Sequence, residues 1–195
     1  MIIANTCIGS YCYKQERFDD YRMALQYDNP FVGNVILNDS FYRLMKRFDT
    51  IDFRDYRIEQ IPYQNSWKET IYNTLILEND IYIYFIHYKS IQQTKDRWDG
   101  RVGRMIEIIK EGNWIENTLF SFVSHEHFAK DKEEVRHYEN LILTEFPQYN
   151  ICINKNDKIN SPNIIQYPLE NYNHTYEVSR WINENYPRYI KNGES

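Results

Sequence analysis

Apolar runs alternate with polar stretches along the whole chain, and their period switches between two and three-to-four. Ile2 to Ala4 is a short apolar run that ends in Asn5-Thr6-Cys7-Ile8-Gly9-Ser10, which predicts a buried strand feeding a polar turn. From Tyr11 to about Gln26 the spacing becomes helical, with Phe18, Tyr21, Arg22 and Leu25 three and four apart. Asn29-Pro30 marks a turn, and Phe31 to Leu37 predicts a second strand. Asn38-Asp39-Ser40 then offers N-cap candidates for a helix to about Phe48, with Phe41, Leu44, Met45 and Phe48 on one face.

Downstream, a third strand is expected between Asp52 and Ile61. Thr74–Leu77 and Ile81–His87 read as two strands joined by a tight hairpin at Glu78-Asn79-Asp80. Ile81 to Ile86 is apolar on both faces, the signature of an interior strand. Ser90-Ile91-Gln92-Gln93 matches a capping box, and the helix it opens runs to about Glu111 and stops at Gly112. Thr118–Val123 is a strand, followed by Ser124-His125-Glu126-His127. A helix from Asp131 to about Leu143, strands at Tyr149–Ile153 and Asn163–Gln166, and a helix from Glu177 to Asn185 complete the pattern.

Strands alternating with helices predict an α/β, three-layer, Rossmann-like fold, a mixed and mostly parallel sheet flanked by helices. No repeat or linker interrupts the pattern, so residues 1–195 are read as a single α/β domain. Composition agrees: 42% of residues are hydrophobic and 26% charged, which is globular rather than disordered. A net charge of −5 supplies no basic surface for nucleic acid. No apolar run approaches the ~20 residues that a membrane span needs. Three cysteines without a Cys-x-x-Cys pair argue against a disulfide framework or a structural zinc site, and the first residues lack the layout of a signal peptide. A reducing, cytoplasmic setting is the expectation. The wealth of Tyr, Asn and Ile points to an AT-rich coding sequence and leaves mechanism untouched.

In open α/β sheets ligands bind beyond the carboxyl ends of the strands. Three polar clusters are expected there: Asn5 to Ser10, His87-Tyr88-Lys89-Ser90, and Ser124 to His127. Parallel neighbours would bring two or all three to one edge. Cys7, after the first strand, reads as a nucleophile activated by helix amides and a nearby His, or as a small buried hydrophobe in the first turn. Gly9 lacks the further glycines of a dinucleotide fingerprint. His87 and Lys89, just before a helix N-cap, suit a phosphate, a carboxylate or a developing oxyanion; a His bonded to a strand-end backbone group is the plain alternative. On the following helix, Trp98 reads as packing and Arg101 as a group that could face an anionic ligand. His125 and His127 could share a metal, but no third ligand is signalled, and no metal is expected.

Asn5-x-Cys7-x-Gly9, Tyr27-x-Asn29-Pro30-Phe31-Val32-Gly33, and Asp80-Ile81-x-Ile83-x-Phe85-Ile86-His87-Tyr88-Lys89-Ser90 with Lys95-x-x-Trp98-x-x-Arg101 occur in that order. This arrangement resembles a bacterial domain of unknown function (domain of unknown function 1919) whose members are usually labelled exopolysaccharide biosynthesis proteins. The resemblance covers roughly residues 1 to 125. It departs from the family's pattern at Ile8-Gly9-Ser10, where a Trp and paired glycines are usual, and at His125-Glu126-His127, where an acidic stretch is usual. It nominates Asn5, Cys7, Gly9, His87, Lys89, Trp98 and Arg101.

The resemblance implies a transferase in surface glycan or exopolysaccharide biosynthesis. Its most concrete form is acyl transfer to a sugar or sugar nucleotide, with Cys7 as nucleophile, His87 as general base and Asn5 as oxyanion donor. Gly9, Ser10, Lys89, Trp98 and Arg101 would bind substrate, and acyl-CoA or a nucleotide sugar would be the co-substrate. One alternative is glycosyl transfer from a nucleotide sugar, although no Asp-x-Asp metal motif is present. The other is a non-catalytic glycan-binding subunit, which the aromatic content of 16% would suit.

Overall fold

In the computed structural model, which describes residues 1–6, 29–64, 69–110, 112–123, 132–153, 159–167 and 175–186, the apolar runs Ile2–Ala4, Ile81–Phe85, Leu119–Phe122 and Ile151–Ile153 lie in largely buried strands. The chain order is β1 (Ile2–Ala4), β2 (Val35–Ile36), α1 (Asn38–Arg47), β3 (Tyr56–Gln64), β4 (Glu69–Leu77) and β5 (Ile81–Phe85). It continues with α2 (Ile91–Lys110), β6 (Leu119–Phe122), α3 (Lys132–Glu145), β7 (Asn150–Ile153), β8 (Ile164–Gln166) and α4 (Thr175–Asn185). The helix expected from Tyr11 to Gln26 and the His125–His127 stretch lie outside the described residues.

The strands form two sheets, which corrects the single, mostly parallel sheet read from the sequence. One is parallel, in the order β1-β6-β7-β8; the other is antiparallel, in the order β2-β5-β4-β3. The interior strand β5 therefore belongs to the antiparallel sheet, flanked by β2 and β4. Its apolar run is explained by burial on both faces: Ile81, Ile83 and Phe85 enter the main core, while Tyr84 meets Val35 and Tyr63 on the other side. The turn before it carries Glu78 and Asn79 at φ values of 48° and 68°, a left-handed pair of the kind two-residue hairpin turns require. Arg47 fixes that turn by donating to Glu78 Oε2 at 2.9 Å and to Asp80 Oδ1 at 2.6 Å.

Among the described residues one backbone hydrogen bond joins the two sheets, from Ile36 N to Asn5 O at 2.9 Å. Asn29 Nδ2 donates to Ile2 O at 2.8 Å, and Asn34 Nδ2 donates to Pro30 O at 2.7 Å. The chain thus passes level with Ile2 before it reaches Asn5, so β2 runs in the direction of β1. Since β5 is antiparallel to β2, it runs opposite to β1.

Two local readings are also corrected. Phe31–Leu37 shrinks to a two-residue strand because Asn29 folds the preceding residues into a turn: its Oδ1 accepts from Phe31 N at 3.0 Å and its carbonyl from Val32 N at 3.2 Å. Gly33, at φ 80°, completes that turn in a conformation few other residues adopt. The expected caps of α1 lie inside the helix, and Leu37 is the N-cap with no side-chain bond. Ser40 Oγ instead accepts from Tyr82 N at 3.1 Å, tying α1 to β5. The capping box of α2 forms in part: Ser90 Oγ accepts from Gln93 N as expected, while Gln93 Oε1 accepts from the amide of Lys89, one residue before the cap, both at 3.2 Å. Gly112, at φ 88°, ends that helix as expected.

Side chains alternate across the parallel sheet. Ile3, Phe120, Phe122, Ile151 and Ile153 pack with α1, α2 and α3, whereas Ile2, Ala4, Leu119, Cys152 and Ile165 pack with Val178 and Ile182 of α4. The phenols trapped in this packing titrate late. Burial first, then the neighbouring phenols of Tyr84 and Tyr72, push Tyr63 up to about 12. Burial first, then the Asp49 carboxylate, pushes Tyr149 up to about 12. A pKa raised on folding stabilises the native state below the ordinary value of ~10 and loses that contribution as pH climbs towards the raised value. Ultraviolet titration should show a delayed group of tyrosines that ionises only as the protein unfolds. Substituting phenylalanine for Tyr63 and Tyr149 together should shrink the delayed group, and an unchanged delayed amplitude would rule these two residues out as its source.

Candidate functional site at the carboxyl edge of the parallel sheet

From β1 the chain moves to one side, where β2 lies, and then returns across β1 to β6, β7 and β8 on the other. In open α/β sheets a reversal of this kind is where ligands bind, here beyond the carboxyl ends of β1, the edge strand of the parallel sheet, and of β6. Asn5 stands at that edge, fully buried, and every polar group it owns is engaged. Its backbone N donates to Ser121 O at 3.2 Å and its carbonyl accepts from Ile36 N. Its side chain continues the ladder where the backbones part: Oδ1 accepts from Val123 N at 2.9 Å and Nδ2 donates to Val123 O at 3.1 Å. Asn5 is therefore a clamp that holds three strand ends together. With Nδ2 given to Val123 and no exposure to solvent, it is not presented as the oxyanion donor expected from the sequence.

Thr6 follows, 2% exposed, and its Oγ1 has no hydrogen-bond partner among the described residues. Asn38, the first residue of α1, is also 2% exposed, and its Nδ2 is likewise unpaired. Neither stood out in the sequence: Thr6 is one polar residue in a polar turn, and Asn38 reads as an ordinary helix cap. Cys7, Gly9 and Ser10 continue the chain from Thr6 but lie outside the described residues, as do His125 and His127, two and four positions beyond Val123.

The second expected cluster is carried elsewhere. Because β5 runs opposite to β1, the exposed His87 leaves the sheet at the end where β1 begins, away from Asn5 and Thr6. The expected meeting of His87 with the first cluster at one edge is thereby corrected. The physical reason is the hairpin, which reverses β5 relative to the parallel strands. Lys89 is exposed beside His87, and its amide is spent in the capping box.

Trp98 is fully buried, donates from Nε1 to Phe53 O at 2.9 Å, and meets Phe31 and Phe85 edge to face at 5.7 and 6.2 Å. It packs the core, as its helical spacing suggested, and is not open to a substrate. Arg101, half-buried, donates from Nη1 to Val32 O at 2.9 Å and so braces the turn at Pro30–Gly33. The motif shared by Phe31, Trp98 and Arg101 is thus one structural unit, in which α2 is locked onto the turn before β2. Among the described residues no group of three His, Cys, Asp or Glu is arranged to hold a metal ion. Nor is any helix among them long and apolar enough to cross a membrane.

These features define a mixed α/β protein, a parallel sheet extended at one edge by an antiparallel one, with its candidate site at the reversal between β1 and β6. Over residues 1–186 the sequence matches the family described as Domain of unknown function (DUF1919), and the chain belongs to that family. No curated protein matches it.

Proposed function

We propose that the protein is a transferase of surface-glycan or exopolysaccharide assembly that passes an acyl group to a sugar or sugar nucleotide at the carboxyl edge of β1 and β6. The observation that carries this reading is the Asn5 clamp, which holds the ends of both strands at the reversal point one residue before Thr6 and two before Cys7. The labels given to the resembling proteins supply the glycan context.

In the first half-reaction the Cys7 thiol gives its proton to an imidazole and its sulfur attacks the carbonyl carbon of an acyl-CoA thioester. The tetrahedral adduct collapses, expelling the coenzyme A thiolate, which takes the proton back from the imidazolium. In the second, the imidazole accepts the proton of a sugar hydroxyl as that oxygen attacks the Cys7 thioester, and the Cys7 thiolate leaves and is reprotonated. The clamp joins β1 to β6, so the bases favoured for this edge are His125 and His127, which follow β6 in sequence, over His87.

The test is transfer from acetyl-CoA to sugar and sugar-nucleotide acceptors, with intact-mass detection of an acylated protein. Cys7→Ala should abolish the acylated species and lower transfer by at least ~10³-fold. Loss of turnover on replacing His125 and His127, with His87→Ala close to wild type, is the expected pattern. Full turnover by Cys7→Ala would exclude covalent catalysis. A larger loss from His87→Ala than from the His125 and His127 variants would exclude the β6 side as the source of the base.

A further inference from the structure

We infer that the outer edge of β3 pairs with the same edge of a second copy of this chain, in one register set by Arg57 and Glu59. The inference concerns the antiparallel sheet and stands apart from the chemistry at the β1–β6 edge.

Among the described residues β3 ends its sheet, paired with β4 on one side only. Side chains alternate across the strand. Arg57 and Glu59 are exposed on one face, and Gln60 and Pro62 are exposed on the other, so both faces are open there. Tyr56 and Ile58 share the face of Gln60 and are half-buried, packed against the main core.

Pro62 fixes which backbone groups point outward. It stands opposite Ile71 in the β3–β4 ladder, where opposed residues exchange two hydrogen bonds or none. Lacking an N–H, proline fits only a position of the second kind. Alternation then turns the N–H and C=O groups of Tyr56, Ile58 and Gln60 away from β4. None of these groups bonds to another segment among the described residues.

A free edge of this kind is a template for another strand, and charges along it ordinarily keep strands away. On β3 the charges have opposite signs and stand two residues apart. Arg57 Nε donates to Glu59 Oε1 at 2.7 Å and Arg57 Nη1 donates to Asn79 Oδ1, so both side chains are held on the same face. A second copy running antiparallel, with the two-fold axis at Ile58, sets each Arg57 directly opposite Glu59 of the other copy. In that register Tyr56 meets Gln60 and Ile58 meets its own counterpart. These are the residues whose backbone groups point outward, so the ladder closes, and Pro62 falls beyond the paired stretch. Moving the axis to Arg57 or Glu59 sets like charges opposite each other. Moving it to Gln60 places Pro62 opposite Ile58 and removes a donor from the ladder. The same charges that oppose the neighbouring registers therefore permit this one. Exposed ion pairs add little affinity, so the backbones supply the attraction and the charges supply the register.

The experiment is sedimentation velocity on the full chain over a concentration series reaching ~1 mM, with a thermal melt of every variant as the check on folding. Wild type should pass from monomer to dimer across the series. Gln60→Pro repeats the geometry of Pro62, with its ring nitrogen on the outward side. It should fold as wild type does and weaken the dimer by at least ~10-fold. Arg57→Glu and Glu59→Arg should each weaken it by at least ~10-fold as well, because like charges then meet across the axis. Mixed in equal amounts, those two variants should associate again, since every opposed pair is then of opposite sign; a defect of folding cannot be repaired by mixing. Wild type that stays monomeric at the top of the series overturns the inference. A dimer of wild-type strength in Gln60→Pro places the interface on another surface and overturns it too. Charge variants that dimerise as wild type does, or that fail to recover on mixing, overturn the register.

Discussion

Replacing Trp98 with alanine should cost about 3–5 kcal/mol of unfolding free energy. The indole is fully buried among Phe31, Tyr56 and Phe85, so its removal opens a cavity that a rigid aromatic cluster refills poorly. It also strips Phe53 O of its donor. Trp98→Phe isolates that second effect: most of the ring volume remains, and the loss should fall to about 1–3 kcal/mol, the cost of a buried carbonyl left unpaired. Urea denaturation of both variants checks the pair. A Trp98→Ala midpoint indistinguishable from wild type would show that the indole is not the packing element described, and would reopen a role in ligand contact.

Asn5 should be nearly as costly, and its substitutions can be told apart by pH. Asn5→Ala leaves both Val123 N and Val123 O unmatched in a buried setting and should lose about 2–4 kcal/mol. Asn5→Asp keeps an acceptor for Val123 N but sets its second oxygen against Val123 O, where only a protonated carboxyl can donate. Burial and that hydrogen bond both favour the neutral acid, so the folded pKa rises above the usual ~3.9. A carboxyl pKa raised on folding gives stability at low pH that disappears as pH rises past the unfolded value. Asn5→Asp should therefore approach wild-type stability near pH ~4 and fall well below it at pH ~7. If its stability relative to wild type is the same at both values, the carboxamide does not bridge Val123 in the way its distances indicate.

Much of the secondary structure was legible because periodicity and turn residues agreed. Ser90 and Gln93 announced the start of α2, Gly112 its end, and Glu78-Asn79-Asp80 the hairpin. What periodicity could not report was sheet membership. A strand such as Ile81–Phe85 reads the same whether its two buried faces come from a parallel sheet or from an antiparallel one. The hairpin was the available signal, since a tight turn after β4 forces β5 to reverse. Following that reversal through the sheet would have separated His87 from Asn5.

The end of the first strand was legible, and the contacts made there were not. The polar break after Ile2–Ala4 coincides with the end of β1, because an apolar strand that ends in Asn-Thr must emerge or find partners there. Asn5 looked like a reactive group because Asn at a strand end is polar and close to Cys7. Its use as a backbone substitute depends on Val123, more than a hundred residues away, and nothing local encodes that contact. Trp98 and Arg101 illustrate the same limit: their spacing gave the helix face, while the partners Phe53 and Val32 come from distant turns.

The seam between the sheets bears on how the chain finds its fold. The meander β3-β4-β5 is assembled from residues that follow one another directly, with Leu77 paired to Ile81 and Tyr56 to Leu77. By contrast β1 must wait for β6, pairing Ile2 with Leu119 across most of the chain. Closing so long a loop is entropically slow, whereas local hairpins zip early. Among the described residues only the Ile36–Asn5 bond crosses from one backbone ladder to the other, so the antiparallel half can serve as a finished template. Docking of β1 along β2 would then be the late step, and the edge that carries Thr6 and Asn38 would be assembled last of all.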